Sequence, residues 1–418
     1  MNNIAFHNLG CKVNAYETEA MMRQMEAAGY HIVDFSEPAD VYVINTCTVT
    51  GVADKKSRQI LHRAKKNNPN SLVVAVGCYV QADPERTLAD EAVDLVVGNH
   101  EKNRLAELIT EKLSQVSDIN AVKEYEPLFV DRFESHTRAF IKIQDGCNQF
   151  CSYCLIPYVR GRVRSRDPES ILKEIDGIAA SGCKEVVLTG IHLSSYGNDG
   201  RPEHMGPALL DLIDEVAKID GIKRIRLGSL EPRIITEKFA ERLSKQEKFC
   251  PHFHLSLQSG CDATLKRMNR HYTAQEYLEK CELLRRVFTL PAITTDIIAG
   301  FPGETEEEFE CTRAYLDGLH LSKLHVFPYS LRKGTAAERL PGRVPEEVKS
   351  ERVKILMAIS ERDEAAFKEA WSTRPREVLL EELTKKDGVE FFTGYTREYV
   401  VEYIPNNRYN IGDIVHLE

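Results

Sequence analysis

The chain has 418 residues, too many for one ordinary core, so two or three domains are expected. Its hydrophobic and charged shares, 42% and 28%, are those of a water-soluble globular protein, and no apolar run reaches the roughly eighteen residues that a membrane span needs. A net charge of −9 argues against a generally basic nucleic-acid binder, and eleven cysteines behind an N-terminus without a signal-peptide layout argue for a cytoplasmic protein that uses thiols as ligands rather than as disulfides.

From residue 1 to 120, short apolar runs alternate with helix-like segments. The runs are "NIAFHNLGC", "HIVDF", "VYVINTC", "SLVVAVGC" and "VDLVVG". The alternation predicts βαβ units and an open parallel α/β sheet. Three runs end in a cysteine: Cys11, Cys47 and Cys78. Ligands gather at the carboxyl ends of such strands, at the switch in strand order, so these three thiols are expected to converge. Three unrelated buried thiols are the plain alternative. The helix after Cys47 carries Lys55, Lys56, Arg58, Arg63, Lys65 and Lys66. It is either a solvated face or a phosphate-binding one. Residues 121–137 are polar and aperiodic and read as a linker.

Residues 138–371 repeat the alternation on a larger scale. "AFIKIQDGC", "KEVVLTGIH", "IKRIRLGSL", "HFHLSLQSG", "AITTDIIAGF" and "KLHVFPYS" are the candidate strands, with helical sequence between them. They predict a partial (β/α)6 barrel, since a closed one needs about eight strands. Directly after the first strand, "DGCNQFCSYC" supplies Cys147, Cys151 and Cys154 in a C-x3-C-x2-C spacing. A structural zinc site or a cubane cluster normally takes four protein ligands. Barrel chemistry sits at the C-terminal ends of the strands, so a trio there reads as a metal site with one open position. A zinc knuckle completed by His192 or His254 is the alternative. Arg160, Arg162, Arg164 and Arg166 follow in "YVRGRVRSR". The other cysteines show no grouping and read as core or surface thiols.

From residue 372 to 418 the strands shorten: "PREVLLEEL", "VEFFTGYT", "YVVEYI" and "DIVHLE", with turns at "KKDG", "PNNR" and "NIGD". They predict a small all-β barrel that leans on its neighbour.

C-x3-C-x-aromatic-C after the first strand of a partial barrel, with Tyr153 at the aromatic position, resembles the radical SAM enzymes. The resemblance implies a 4Fe–4S cluster on Cys147, Cys151 and Cys154. It implies S-adenosyl-L-methionine on the open iron, cleaved by an electron from the cluster to a 5′-deoxyadenosyl radical. It also implies cofactor contacts at later strand ends: Thr189 and Gly190 of "LTGIH", Ser229 and Glu231 of "LGSLEP", Gln258 of "SLQSG" and Asp296 of "DIIAGFPGET".

The whole order of parts resembles the radical SAM methylthiotransferases, which end in a TRAM domain. Residues 372–418 are shorter than a complete TRAM barrel of that kind. The resemblance implies a second 4Fe–4S cluster on Cys11, Cys47 and Cys78 that carries the sulfur to be inserted. S-adenosylmethionine then serves as both methyl donor and radical source, and a sulfur donor and an electron-donor protein are partners. "LGCKVNAYE", "NTCTVTGVADKKSRQ" and "CSYCLIPYVRGRVRSR" resemble the MtaB branch. Its implied substrate is N6-threonylcarbamoyladenosine in the tRNA anticodon stem-loop, methylthiolated at C2. Lys55, Lys56, Arg58, Arg160 and Arg162 are then expected on RNA phosphates. Arg332 of "YSLRKGTAA" is expected near the active site, facing the nucleotide or its threonyl carboxylate; a surface arginine on a turn is the alternative. Rival substrates are isopentenyladenosine in tRNA and an aspartate of a ribosomal protein, and a tRNA-binding iron–sulfur sensor is the non-enzymatic reading. No acid–base pair is expected, because the cofactors carry the hard chemistry.

Overall fold

The structure is a computed structural model that describes residues 2–132, 137–198, 204–386, 388–405 and 409–418. The N-terminal part contains β1 (Asn3–Asn8), β2 (His31–Val33), β3 (Val41–Thr46), β4 (Leu72–Gly77) and β5 (Leu95–Val97). They form one parallel sheet in the order β2-β1-β3-β4-β5. The β3 and β4 strands are buried almost throughout, which is why they are continuous apolar runs in sequence rather than alternating ones. Helices α1 (Lys12–Ala27), α2 (Gly51–Asn67), α3 (Cys78–Ala82), α4 (Pro84–Leu88) and α5 (Leu105–Glu111) connect and cover them. The α2 helix begins where the Thr50 side chain accepts the Ala53 N–H, with Asp54 in its first turn and Lys65 and Lys66 in its last. Cap and macrodipole therefore agree.

The segment read as a linker is packed down. Leu128 and Val130 cluster with Tyr16 and Ala20 of α1, and the Tyr125 hydroxyl donates to the Lys142 carbonyl at 2.7 Å. Residues 133–136 of it lie outside the described residues.

The middle part contains β6 (Arg138–Asp145), β7 (Arg164–Ser165), β8 (Glu185–Gly190), β9 (Arg224–Leu227), β10 (His252–His254), β11 (Ala292–Ala299) and β12 (Lys323–Pro328). All but β7 run parallel, in two sheets ordered β7-β6-β8-β9 and β10-β11-β12. Bridges Ile225–Phe249 and Leu230–Leu255 join the sheets into a six-stranded partial barrel. Its helices are α6 (Ile156–Val159), α7 (Pro168–Ala180), α8 (Pro207–Ala217), α9 (Glu237–Ser244), α10 (Asp262–Arg267), α11 (Ala274–Val287), α12 (Glu306–Leu319) and α13 (Glu346–Ser372). Capping boxes, Thr273 with Glu276 and Thr305 with Glu308, start α11 and α12.

The last part is an antiparallel half-barrel of β13 (Arg376–Lys386), β14 (Val389–Thr396), β15 (Val401–Pro405) and β16 (Ile414–Leu417), ordered β15-β14-β13-β16. Two of its expected turns, "KKDG" and "PNNR", include residues 387 and 406–408, which lie outside the described residues. Two buried arginines of β9 fasten it to the barrel. Arg224 donates to the carbonyls of Glu377 and Tyr395 at 2.8 and 2.9 Å, and Arg226 to that of Arg397 at 2.8 Å. Among the described residues no helix is long and apolar enough to cross a membrane.

Candidate active site

The N-terminal trio sits at the carboxyl ends of adjacent strands. Cys11 caps α1 just after β1, Cys47 directly follows β3, and Cys78 opens α3 directly after β4. The sheet order switches direction between β1 and β3, where such ligand sites form. Gly10 stands at φ +109°, and a Cβ there would meet Cys47 Cβ and Sγ at 3.0 Å, so glycine lets this loop close on Cys47. Cys78 Sγ accepts from Arg160 Nε at 3.2 Å and from Asn99 Nδ2 at 3.6 Å. Burial pushes the Cys47 thiol up to about 11, while Cys11 stands exposed at the surface.

The barrel trio occupies the loop from β6 to α6. Gly146 is held at φ +73°, and a Cβ there would meet the Arg162 carbonyl oxygen at 1.8 Å. Cys147 Sγ accepts from the Gln149 N–H at 3.4 Å, and Cys151 Sγ from Arg270 Nη1 at 3.2 Å. Burial pushes the Cys147 thiol up to about 12 and that of Cys154 higher still. Each trio thus carries one arginine on one sulfur. Arg270 was not singled out by the sequence reading, and nothing in its local sequence marks it.

Between the trios lies a buried ion network. Glu17 of α1 is fully buried and meets Lys102, Lys142 at 2.6 Å, and Arg160, whose Nη2 lies 2.9 Å away. Asp145, at the end of β6, meets Lys142 at 2.7 Å and Arg160 at 3.4 Å. Burial alone would raise both carboxyls, but Lys142 and Arg160 hold Asp145 down to about 2, and Arg160, Lys102 and Lys142 hold Glu17 well below the usual range.

This network corrects the expectation that the arginine run faces RNA. Arg160 is fully buried, and Arg164 and Arg166 are nearly so, on Asp145 and on Glu174 and Tyr16 respectively. Only Arg162 of the run is exposed, stacked over the Phe150 ring at 4.5 Å. Arg332 also differs from expectation. It is buried, donating to Thr48 Oγ1 at 2.6 Å and pairing with Asp54 at 2.8 Å, so it clamps the barrel to the start of α2. It is therefore no surface arginine either. Lys55, Lys56 and Arg58 are exposed on α2, and none of the three is in an ion pair among the described residues.

The barrel lumen is a cavity of about 820 Å³. Side chains alternate along a strand, and His252 and His254 of β10, Thr294 and Asp296 of β11, and His325 and Phe327 of β12 all face inward. Of the residues expected to contact the cofactor, Thr189, Gly190, Ser229 and Asp296 line it. Tyr153, Glu231 and Gln258 do not. Tyr153 packs edge-on to Phe301, Glu231 is buried against Arg233, and the Gln258 backbone pairs with β11. The N-terminal part contributes Cys11, Lys12 and Val49 to the wall, and the half-barrel contributes Tyr395, Glu398 and Tyr399. Tyr399 stacks on His252 with ring centroids 4.7 Å apart. Burial, then Arg226, keeps His252 well below the ordinary histidine value, and burial lowers Lys12 to about 8. All three parts of the chain therefore meet at one cavity.

Among the described residues no three His, Cys, Asp or Glu side chains converge to chelate one ion. Both ring nitrogens of His254 are engaged, by Thr294 and Asp296, and His192, whose Nδ1 meets Ser195 Oγ at 2.7 Å, joins no three-residue ligating group among the described residues. A cubane spreads three sulfurs over three irons and suits such trios. Thiols raised by burial ionise against strong positive charge, which irons supply. The surplus of buried cations beside Cys78 suits a cluster whose thiolates leave it anionic.

A six-stranded barrel with a three-cysteine loop after its first strand defines a radical SAM enzyme. The Radical SAM superfamily matches residues 141–316, and the Uncharacterized protein family UPF0004 matches residues 3–98. The solved structure of TsrM, a radical S-adenosylmethionine methyltransferase from Kitasatospora setae, shares the fold. Its TM-score is 0.57 at 16% identity, over 78% of this chain and 73% of that one. The threonylcarbamoyladenosine tRNA methylthiotransferase MtaB of Bacillus subtilis is 41% identical over 100% of this chain and 94% of its own length. A tRNA-2-methylthio-N(6)-dimethylallyladenosine synthase of Clostridium botulinum is 33% identical over 98% and 92%. The chain belongs to the radical SAM methylthiotransferase family, in its MtaB branch. It is an enzyme, and its cofactors are S-adenosylmethionine and two 4Fe–4S clusters.

Proposed function

We propose that this enzyme inserts a methylthio group at C2 of N6-threonylcarbamoyladenosine beside the tRNA anticodon; its relatives at 39–41% identity are named threonylcarbamoyladenosine tRNA methylthiotransferases. The observation that carries the reading is the shared cavity, with Cys11 of one trio and the barrel strand ends at Thr189, Gly190 and Ser229 in its wall. Bound at the two trios and in the lumen, the clusters and S-adenosylmethionine supply the electron, the radical and the methylated sulfur. Thr189, Gly190, Ser229 and Asp296 hold S-adenosylmethionine in place. Tyr153 and Gln258 act from behind the wall by fixing the cysteine loop and the β11 end. Phe327, exposed at the rim, offers a face for a base drawn out of its stack. Lys55, Lys56, Arg58 and Arg162 contact phosphates and set the register of the RNA.

In this reading residues 1–120 are the sulfur-delivering domain, 138–371 the radical domain and 372–418 the TRAM domain, with 121–137 linking the first two and packed down at Tyr125, Leu128 and Val130. An electron-donor protein and a sulfur donor complete the cycle, and work on tRNA places the enzyme in the cytoplasm. Mass spectrometry of tRNA nucleosides tests it. Cells without the gene should lack the 2-methylthio form of threonylcarbamoyladenosine and accumulate its precursor; an unchanged nucleoside profile would overturn the proposal.

A further inference from the structure

The substrate proposed above differs from the dimethylallyl substrate named for the Clostridium relative in one decisive group, the threonyl carboxylate. A carboxylate drawn from water into a cavity needs a positive partner there. Arg332, the residue expected to supply it, is committed to Asp54 and Thr48. Three lysines line the cavity: Lys12, Lys323 and Lys368. Lys323 and Lys368 share Glu364, at 3.2 and 2.8 Å. Lys12 has neither an ion pair nor a hydrogen bond to its side chain among the described residues. The neighbouring buried cations all have partners: Lys102, Lys142 and Arg160 on Glu17, and Arg226 on Glu185. Lys12 is the exception, and it lines the same wall as Cys11.

Its place suits the chemistry. In adenine, C2 and the carbon bearing N6 flank the same ring nitrogen. A base that presents C2 to the sulfur held at Cys11, Cys47 and Cys78 therefore turns the N6 side of its ring toward the same part of the cavity, where the residue next to Cys11 lines the wall. That residue is Lys12, the first of α1, where the helix N-terminus adds to the attraction for an anion.

We propose that Lys12 binds the threonyl carboxylate of the substrate nucleoside and thereby sets the preference for a threonylcarbamoyl over a dimethylallyl group at N6. The inference rests on the proposed function. The test uses reconstituted holoenzyme and three anticodon stem-loop RNAs, carrying threonylcarbamoyladenosine, its carboxyl methyl ester, or plain adenosine. A charge-assisted contact corresponds to about tenfold or more in affinity. Wild-type enzyme should bind the acid about tenfold tighter than the ester. Lys12→Met should bind the two within about twofold, and Lys12→Arg should restore the preference, which a merely structural role would not produce. A Lys12→Met enzyme that folds, holds its iron and still prefers the acid overturns the inference. So does one that keeps this preference while losing cleavage of S-adenosylmethionine, because Lys12 would then serve the carboxylate of the cofactor. Wild-type enzyme that neither prefers the acid nor forms methylthio product overturns the proposed function itself.

Discussion

Arg160 donates its Nε–H to Cys78 Sγ at 3.2 Å while its Nη2 donates to Glu17 at 2.9 Å and to Asn14 at 2.6 Å. It sits at the C-terminal end of α6, the short helix that follows the barrel trio, so one side chain links that segment to the N-terminal cysteine site. Glu17 and Asp145 make a buried guanidinium tolerable, since an unpaired charge in that position would be prohibitive.

Arg160→Lys tests the link. A lysine ammonium can stay with Glu17 but cannot also donate in the plane of the Cys78 sulfur. Hydrogen bonds to cluster sulfurs raise the reduction potential. The variant should remain folded, and one of its two clusters should have a more negative midpoint in an EPR-monitored titration, the other being unmoved. Two unmoved midpoints would reduce Arg160 to an interdomain brace.

The expected architecture was legible because buried parallel strands print themselves as unbroken apolar runs, and three such runs end in Cys11, Cys47 and Cys78. The arginine run was misread for a physical reason. Four arginines in seven residues look solvated, and the partner that buries Arg160, Glu17, stands 143 residues away. The lumen wall had a usable signal in the period-two polar residues His252 and His254, and Thr294 and Asp296. Which strand face becomes the lumen is fixed only when the sheets join. The contribution of Tyr395 and Tyr399 to that wall depends on docking by Arg224 and Arg226, which no local pattern records.

The two trios should separate by function. Replacing Cys147, Cys151 and Cys154 with Ala should leave about half of the roughly eight irons that two cubanes hold, and abolish cleavage of S-adenosylmethionine. Replacing Cys11, Cys47 and Cys78 should leave cleavage and abolish sulfur insertion. Methylthio product from the second variant, shown to be folded, would sink the two-cluster mechanism.

Charge reversal of Lys55, Lys56 and Arg58 should weaken tRNA binding and flatten its salt dependence, because each lost phosphate contact reduces the slope by about one. These side chains are exposed and, among the described residues, unpaired, so thermal stability should change little. An unchanged slope of log K against log salt would return α2 to a solvated face.

Glu126 gives the clearest pH signature in the linking segment. It is 3% exposed, its Oε1 accepts the Asn103 N–H at 3.0 Å, and its Oε2 has no partner. Burial pushes its carboxyl from an ordinary 4.5 up to about 7, against the pull of Lys142. Between those two values the folded state holds a proton that the unfolded state has lost. Stability from this group is therefore full below the unfolded value and falls as pH rises through the folded one. At about 1.4 kcal/mol per unit, the ionised carboxylate costs roughly 3–4 kcal/mol above neutrality. Glu126→Gln keeps the acceptor for Asn103 and cannot ionise. Relative to wild type it should be nearly neutral in thermal melts at pH 4 and stabilising at pH 8, where the buried charge would otherwise have to be held. A difference between the two proteins that stays flat from pH 4 to pH 8 would show that Glu126 titrates at its ordinary value and that the segment opens to water there.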